Sequence, residues 1–191
     1  MHAKSGLRVV LKWKVFRPDS VIADVITLQG EEVLMTIDEL LDEMKSKAPP
    51  VPEADIAAFE SEIGHQLPKD YRQFLAASNG GYIGGRFWFK GGNTGIDHIG
   101  GFRSEGHFSL RSTREIYADR IPSELVWIMD DPFGNAICIG ILGDTHGKIY
   151  FWDHEQEPDP DKWDGSVANA DNVSVLTDSF TEFVAGLAPL E

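Results

Sequence analysis

The sequence predicts an α+β fold in which helices pack on a mainly antiparallel sheet. Between Met35 and Ser78 apolar residues recur at helical spacing, whereas from Tyr82 onward the periodicity changes to short β-like runs. The connections among the later runs are the third observation: they suit hairpins and are far too short for helical crossovers.

Taken in order, "MTIDELLDEMKSKAPP" offers Thr36 and Glu39 as a capping box, with Ile37, Leu40, Leu41 and Met44 as one stripe, and ends before Pro49-Pro50. "VPEADIAAFESEIG" places Ile56, Phe59 and Ile63 on one face, with Pro52 and Glu53 near the start and Gly64 as the stop. In "LPKDYRQFLAASNGG" Pro68 suits the first helical position, and Tyr71, Phe74, Leu75 and Ser78 share a face. Asn79-Gly80-Gly81 is read as a left-handed cap that turns the chain into the first strand. A phosphate cradle would need the opposite order, strand before helix.

The strand-like runs are "YIGGRFWFK", "LVWIMD", "AICIGIL" and "KIYFWD"; the last three, joined by "DDPFGN" and "GDTHG", are expected to form a meander. The Gly-rich stretch 91–108 between the first two has room for a short strand around Ile96 to Ile99. "SFTEFVAGL" supplies a closing helix, with Ser179 and Glu182 as its capping box and Phe180, Phe183, Val184 and Leu187 on one face. The domain is therefore expected over 35–191. Residues 1–34 differ in charge balance and are read either as an added hairpin or as an upstream reading ahead of a natural start at Met35.

The 191 residues suffice for one domain with a substantial core plus an extension. Net charge is −14, and residues 35–191 carry 12 Lys/Arg against 27 Asp/Glu, a net −15. Such a surface repels nucleic acid and anionic membranes and is complemented by a basic partner. The apolar groups near the N-terminus are too short for a signal-peptide core, so a cytoplasmic location is the expectation. Cys138, the lone cysteine, lies in an apolar run and is expected to be a buried, unreactive thiol.

The order "FESEIGHQLPKDYRQFLAASNGG", "IPSELVWIMDDPFGNAICIGILGDTHGKIYFWDHE", "SFTEFVAGL" resembles the SMI1/KNR4 (SUKH) superfamily over residues 35–188. The matching positions are Glu60, Leu67-Pro68, Tyr71, Phe74, Asn79-Gly80, Gly134-Asn135 and Tyr150 through His154. The resemblance implies a curved sheet covered by helices. It also implies binding without catalysis, since many bacterial relatives are immunity proteins that neutralise polymorphic toxins and fungal relatives are regulatory scaffolds; no cofactor is expected. It does not choose a partner.

Among candidate chemical groups, Asp144, His146, Asp153 and His154 invite a metal reading, but residues 146 and 153 bracket a strand and would stand about 20 Å apart if extended, so no metal site is expected from the sequence. There is no Gly-x-Ser-x-Gly elbow or Walker lysine, so a small hydrolase remains the lesser alternative. Glu60, beside the apolar stripe, is read as a structural acceptor, and Glu62 as solvated. Trp127 and Trp152 read as core. Trp163 stands instead in a polar loop with Asp153, Glu155, Glu157, Asp159, Asp161 and Asp164 against Lys162, a concentration able to steer a basic partner. Trp163 and these six carboxylates are the predicted protein-binding set, weighed against a merely solvated loop. The expected partner is a cognate basic toxin, a nuclease foremost; the alternative is a housekeeping interaction protein of the same fold.

Overall fold

The computed structural model describes residues 34–90, 94–102 and 108–189. The expectation about residues 1–34 falls, apart from Leu34, outside them. The helices are α1 (Ile37–Glu43), α2 (Glu53–Ile63), α3 (Lys69–Ala77), α4 (Leu110–Ile116) and α5 (Phe180–Ala185). The strands are β1 (Ser46–Lys47), β2 (Gly81–Phe89), β3 (Gly95–Ile99), β4 (Leu125–Asp130), β5 (Ala136–Gly140), β6 (Ile149–Trp152), β7 (Val173–Thr177) and β8 (Leu187–Pro189). Strands β1 to β7 follow one another in chain order across one curved antiparallel sheet. β8 joins the same edge of β2 as β1, pairing Phe87 with Pro189 and Phe89 with Leu187.

The expected caps are present at α1 and α2. Thr36 and Glu39 form a reciprocal capping box, and Gly64, at φ 75°, receives the end of α2. At α5 the Ser179 hydroxyl accepts from the Glu182 amide at 3.1 Å, but the Glu182 carboxylate accepts from Asp178, one residue earlier than a standard box. Polar side chains then fix the helices to one another. Glu60 Oε1 accepts from the Leu67 amide and from Arg72 Nε, both at 2.9 Å, which ties α2 to the start of α3 as expected for a structural acceptor. Asp70 accepts from the Thr181 amide at 2.9 Å and so holds α3 to the N-terminus of α5. Glu62 is half exposed, yet its carboxylate grips Arg111 at 2.8 and 2.9 Å and links α2 to α4.

The Asn-Gly-Gly sequence serves a different purpose from the one expected. Pro68 is the N-cap of α3, one position ahead of its predicted place, and α3 ends on Ser78 in an extended conformation with φ −156°. The left-handed residue is Gly80, at φ 70°, two residues farther on. A Cβ there would stand 2.4 Å from the Ile99 carbonyl oxygen, and one on Gly101 would stand 2.3 Å from that of Asn79. Two backbones cross at this point, the α3–β2 turn over the end of β3, and glycine is required because no side chain fits between them. The Asn79 carbonyl side-chain oxygen closes the crossing by accepting from the Phe102 amide.

One contiguous core runs from Leu40 to Leu187. At its centre Phe180 meets Tyr71 and Phe74 with ring centroids 5.3 and 5.4 Å apart, and Phe183 stacks on Phe89 at 5.2 Å. Every residue of β5 is buried, as are five of the six in β4, so the middle of the meander is covered on both faces. Trp127, Trp152 and Cys138 lie in this core, and burial pushes the Cys138 thiol pKa far up, which keeps it protonated and unreactive. Among the described residues no helix is long and apolar enough to cross a membrane.

Candidate functional site

The acidic loop leaves β6 at Trp152 and returns as β7 at Val173. Hydrogen bonds join its two ends, from the Asp153 amide to the Asn172 carbonyl and from Asn172 Nδ2 to the Asp153 carbonyl, each 2.9 Å. Asp153 then caps a 3₁₀ turn at His154–Gln156, with Oδ1 accepting from the Glu155 amide at 2.9 Å and Oδ2 from Gln156 at 2.7 Å. His154 Nδ1 lies 2.8 Å from Asn135 Oδ1, which binds the loop to the turn that follows β4. At its other end the Ser123 amide donates to Gly165 and the Val167 amide to Glu124 Oε1, at 3.3 and 3.2 Å, just ahead of β4. The long loop is therefore a strap fastened at both ends of β4, which accounts for its length.

Along the strap the predicted carboxylates divide into two kinds. Glu157 makes a two-pronged ion pair with Arg120, whose Nε donates at 2.9 Å; Arg120 in turn lies over the rings of Tyr117 and Trp152 at 5.2 and 5.3 Å. Asp159 pairs with Lys162 at 2.6 Å, and Asp164 accepts from the Ser166 amide and hydroxyl and from Asn169 at 2.7 to 3.0 Å. Each of these three carboxyls is held below its ordinary pKa by its partner: the Arg120 guanidinium, the Lys162 ammonium and the Ser166 hydroxyl respectively. Glu155 and Asp161 are exposed, and their carboxylates bond to nothing among the described residues.

Trp163 is half-buried. Its indole N–H donates to the Ser166 carbonyl at 3.1 Å, so the ring is oriented rather than free to rotate. Together with Pro160 and Asp164 it forms one wall of a cleft of about 530 Å³, facing Ala118, Asp119 and Ile121 from the segment after α4. The sequence located the tryptophan and the carboxylates but not this opposite wall. Nothing along the chain links Arg120 or Asp119 to residues some forty positions later; only the folding of the strap along β4 brings them together.

Three of the four residues weighed as metal ligands are separately engaged. His146 Nε2 lies 3.3 Å from the Gln66 carbonyl, His154 is on Asn135, and Asp153 is a cap.

Residues 50–186 match the SMI1 / KNR4 family (SUKH-1). The chain belongs to the SMI1/KNR4 family. A relative, the SPbeta prophage-derived uncharacterized protein YokK of Bacillus subtilis (strain 168), is 32% identical over an alignment that covers 69% of this chain and 73% of that protein. SUKH membership supports, at the level of the family, an immunity-type module that works through protein–protein contact. The match spans α2 through α5 and includes the whole strap, while α1 lies ahead of it.

Proposed function

We propose that this SMI1/KNR4 protein is a non-catalytic immunity protein whose strap, Asp153 to Asp164, binds a cognate basic toxin, a nuclease foremost. The observation that supports this most is the cleft beside Trp163. It offers an oriented aromatic wall with Asp119 and Asp164 at its margin, on the strap that also carries the unpaired carboxylates of Glu155 and Asp161. A flat ring flanked by carboxylates suits an arginine or lysine side chain, through cation–π contact and charge pairing. A nuclease presents such side chains in its nucleic-acid groove, and an acidic surface seated there excludes the phosphate backbone.

The roles within the strap differ. Glu155 and Asp161 steer the encounter, and Trp163 anchors the complex; Glu157, Asp159 and Asp164 hold the strap in shape. The test is stopped-flow association with the product of an adjacent toxin-like gene, at two salt concentrations. Glu155→Gln with Asp161→Asn is expected to slow association and flatten its salt dependence while leaving stability unchanged. Trp163→Ala is expected to speed dissociation, a loss of about 2 kcal/mol or more for a buried anchor. Unaltered rates in both variants would move the interface elsewhere, with Asp38, Asp42, Glu43, Glu53 and Asp55 on α1 and α2 as the next acidic surface.

A further inference from the structure

Where it faces β3, β2 departs from regular pairing. Tyr82 faces His98 and Phe87 faces Ile96, so four residues of β2 lie opposite a single residue of β3, Asp97. Gly84 and Gly85, at φ 79° and 63°, make this bulge possible. Side chains of consecutive strand residues normally point to opposite faces. Here, next to the bulge, Asp97 and His98 direct their polar atoms to the same place: Asp97 Oδ2 lies 3.0 Å from His98 Nδ1. The third member comes from β4. Asp130 pairs directly with His98 across the strands, accepts from the His98 amide at 2.9 Å, and places the same Oδ1 3.5 Å from Nδ1.

We propose that Asp97, His98 and Asp130 form a binding site for one divalent transition-metal ion of the zinc class. The ligand atoms of all three lie within 4.8 Å of one another. Donors around a tetrahedral ion with bonds of about 2.0–2.1 Å stand roughly 3.3 Å apart. The two separations from Nδ1, 3.0 and 3.5 Å, bracket that distance. His98 Nδ1 supplies an observation independent of the carboxylates, being a buried ring nitrogen without a hydrogen-bond partner although the carboxylate oxygens stand beside it. An ion lying between the three ligands would satisfy it.

The imidazole is also held as a metal ligand must be. Its ring stacks on Phe108 with centroids 3.8 Å apart and planes within 5°, and Tyr82 covers it at 4.7 Å. The hydrogen bond that the His98 amide donates to Asp130 fixes that carboxylate, the kind of supporting contact that orients ligands around an ion. One nitrogen and two carboxylates favour zinc, manganese or cobalt over calcium or magnesium, which prefer oxygen alone. The three side chains are 22 to 26% exposed, which leaves a coordination position open to water or to a ligand from a partner.

The test is calorimetric titration of the chelator-treated full chain with zinc sulfate, followed by cobalt(II) and its visible absorption. One ion per chain is expected. His98→Gln and Asp130→Asn are each expected to weaken binding by at least about tenfold, and His154→Gln is expected to leave it unchanged. Should the variants fail to fold, the unsubstituted protein gives the answer: substoichiometric manganese(II) is expected to broaden the proton resonances of His98, Tyr82 and Phe108 before any others. Binding no tighter than that of a surface histidine, undiminished binding by His98→Gln, or broadening that begins elsewhere would overturn the site in favour of a histidine that packs beside the two carboxylates without an ion.

Discussion

Glu157 illustrates how a side chain in an acidic surface can be committed inward. Its carboxylate holds both prongs of the Arg120 guanidinium, and that partner lowers its pKa from the ordinary 4.5. Because the folded-state pKa lies below the unfolded one, the stabilisation is fully present at neutral pH and is lost as pH falls through the folded value. Both side chains are partly exposed, 29% for Glu157 and 42% for Arg120, so solvent screens the pair. Glu157→Gln is therefore expected to cost less than about 1 kcal/mol at pH 7. The difference from the parent protein should vanish in strong acid, read by urea unfolding across pH. A constant difference at every pH would show that shape, not charge, is what Glu157 contributes. The sequence could show that six carboxylates cluster here; it could not show which of them are already engaged, because their partners are set by the strap's path.

Elements with a strong period and a cap were legible, and those without were not. α1, α2 and α5 announced themselves through Thr36, Gly64 and Ser179, and the β4–β5–β6 meander through its apolar runs and short turns. β1 and β8, of two and three residues, are too short to display any alternation. α4 reads "LRSTREI", and the residues it buries are Leu110 and the polar Thr113, so its inner face has no apolar stripe. β7 is half exposed along its length and carries no one-sided pattern. The α3–β2 turn was placed correctly but explained by the wrong cause. Gly80→Val is expected to cost more than the roughly 1–3 kcal/mol of φ strain alone, since its Cβ would also press on the Ile99 carbonyl at 2.4 Å. Denaturant unfolding measures this, with the affinity of the folded fraction for a binding partner expected to stay unchanged. Full stability in Gly80→Val would mean that the two backbones separate easily.

At the scale of the molecule, every member of the contiguous core among the described residues lies between Leu40 and Leu187. A chain of residues 35–191 is therefore expected to unfold cooperatively, with a denaturation midpoint close to that of the full chain; a molten or insoluble product would show that residues 1–34 complete the core. The pairing of β2 with β8 has a consequence for synthesis. Its partners, Phe87 with Pro189 and Phe89 with Leu187, are roughly a hundred residues apart, a separation that slows closure. Phe180 and Phe183, which cover Tyr71, Phe74 and Phe89, also arrive only with α5. A ribosome that has delivered everything through β7 therefore holds a sheet in which β2 lacks one neighbour and whose aromatic layer lacks its lid. Such a nascent chain presents sticky surface to chaperones and proteases until the residues through Pro189 emerge.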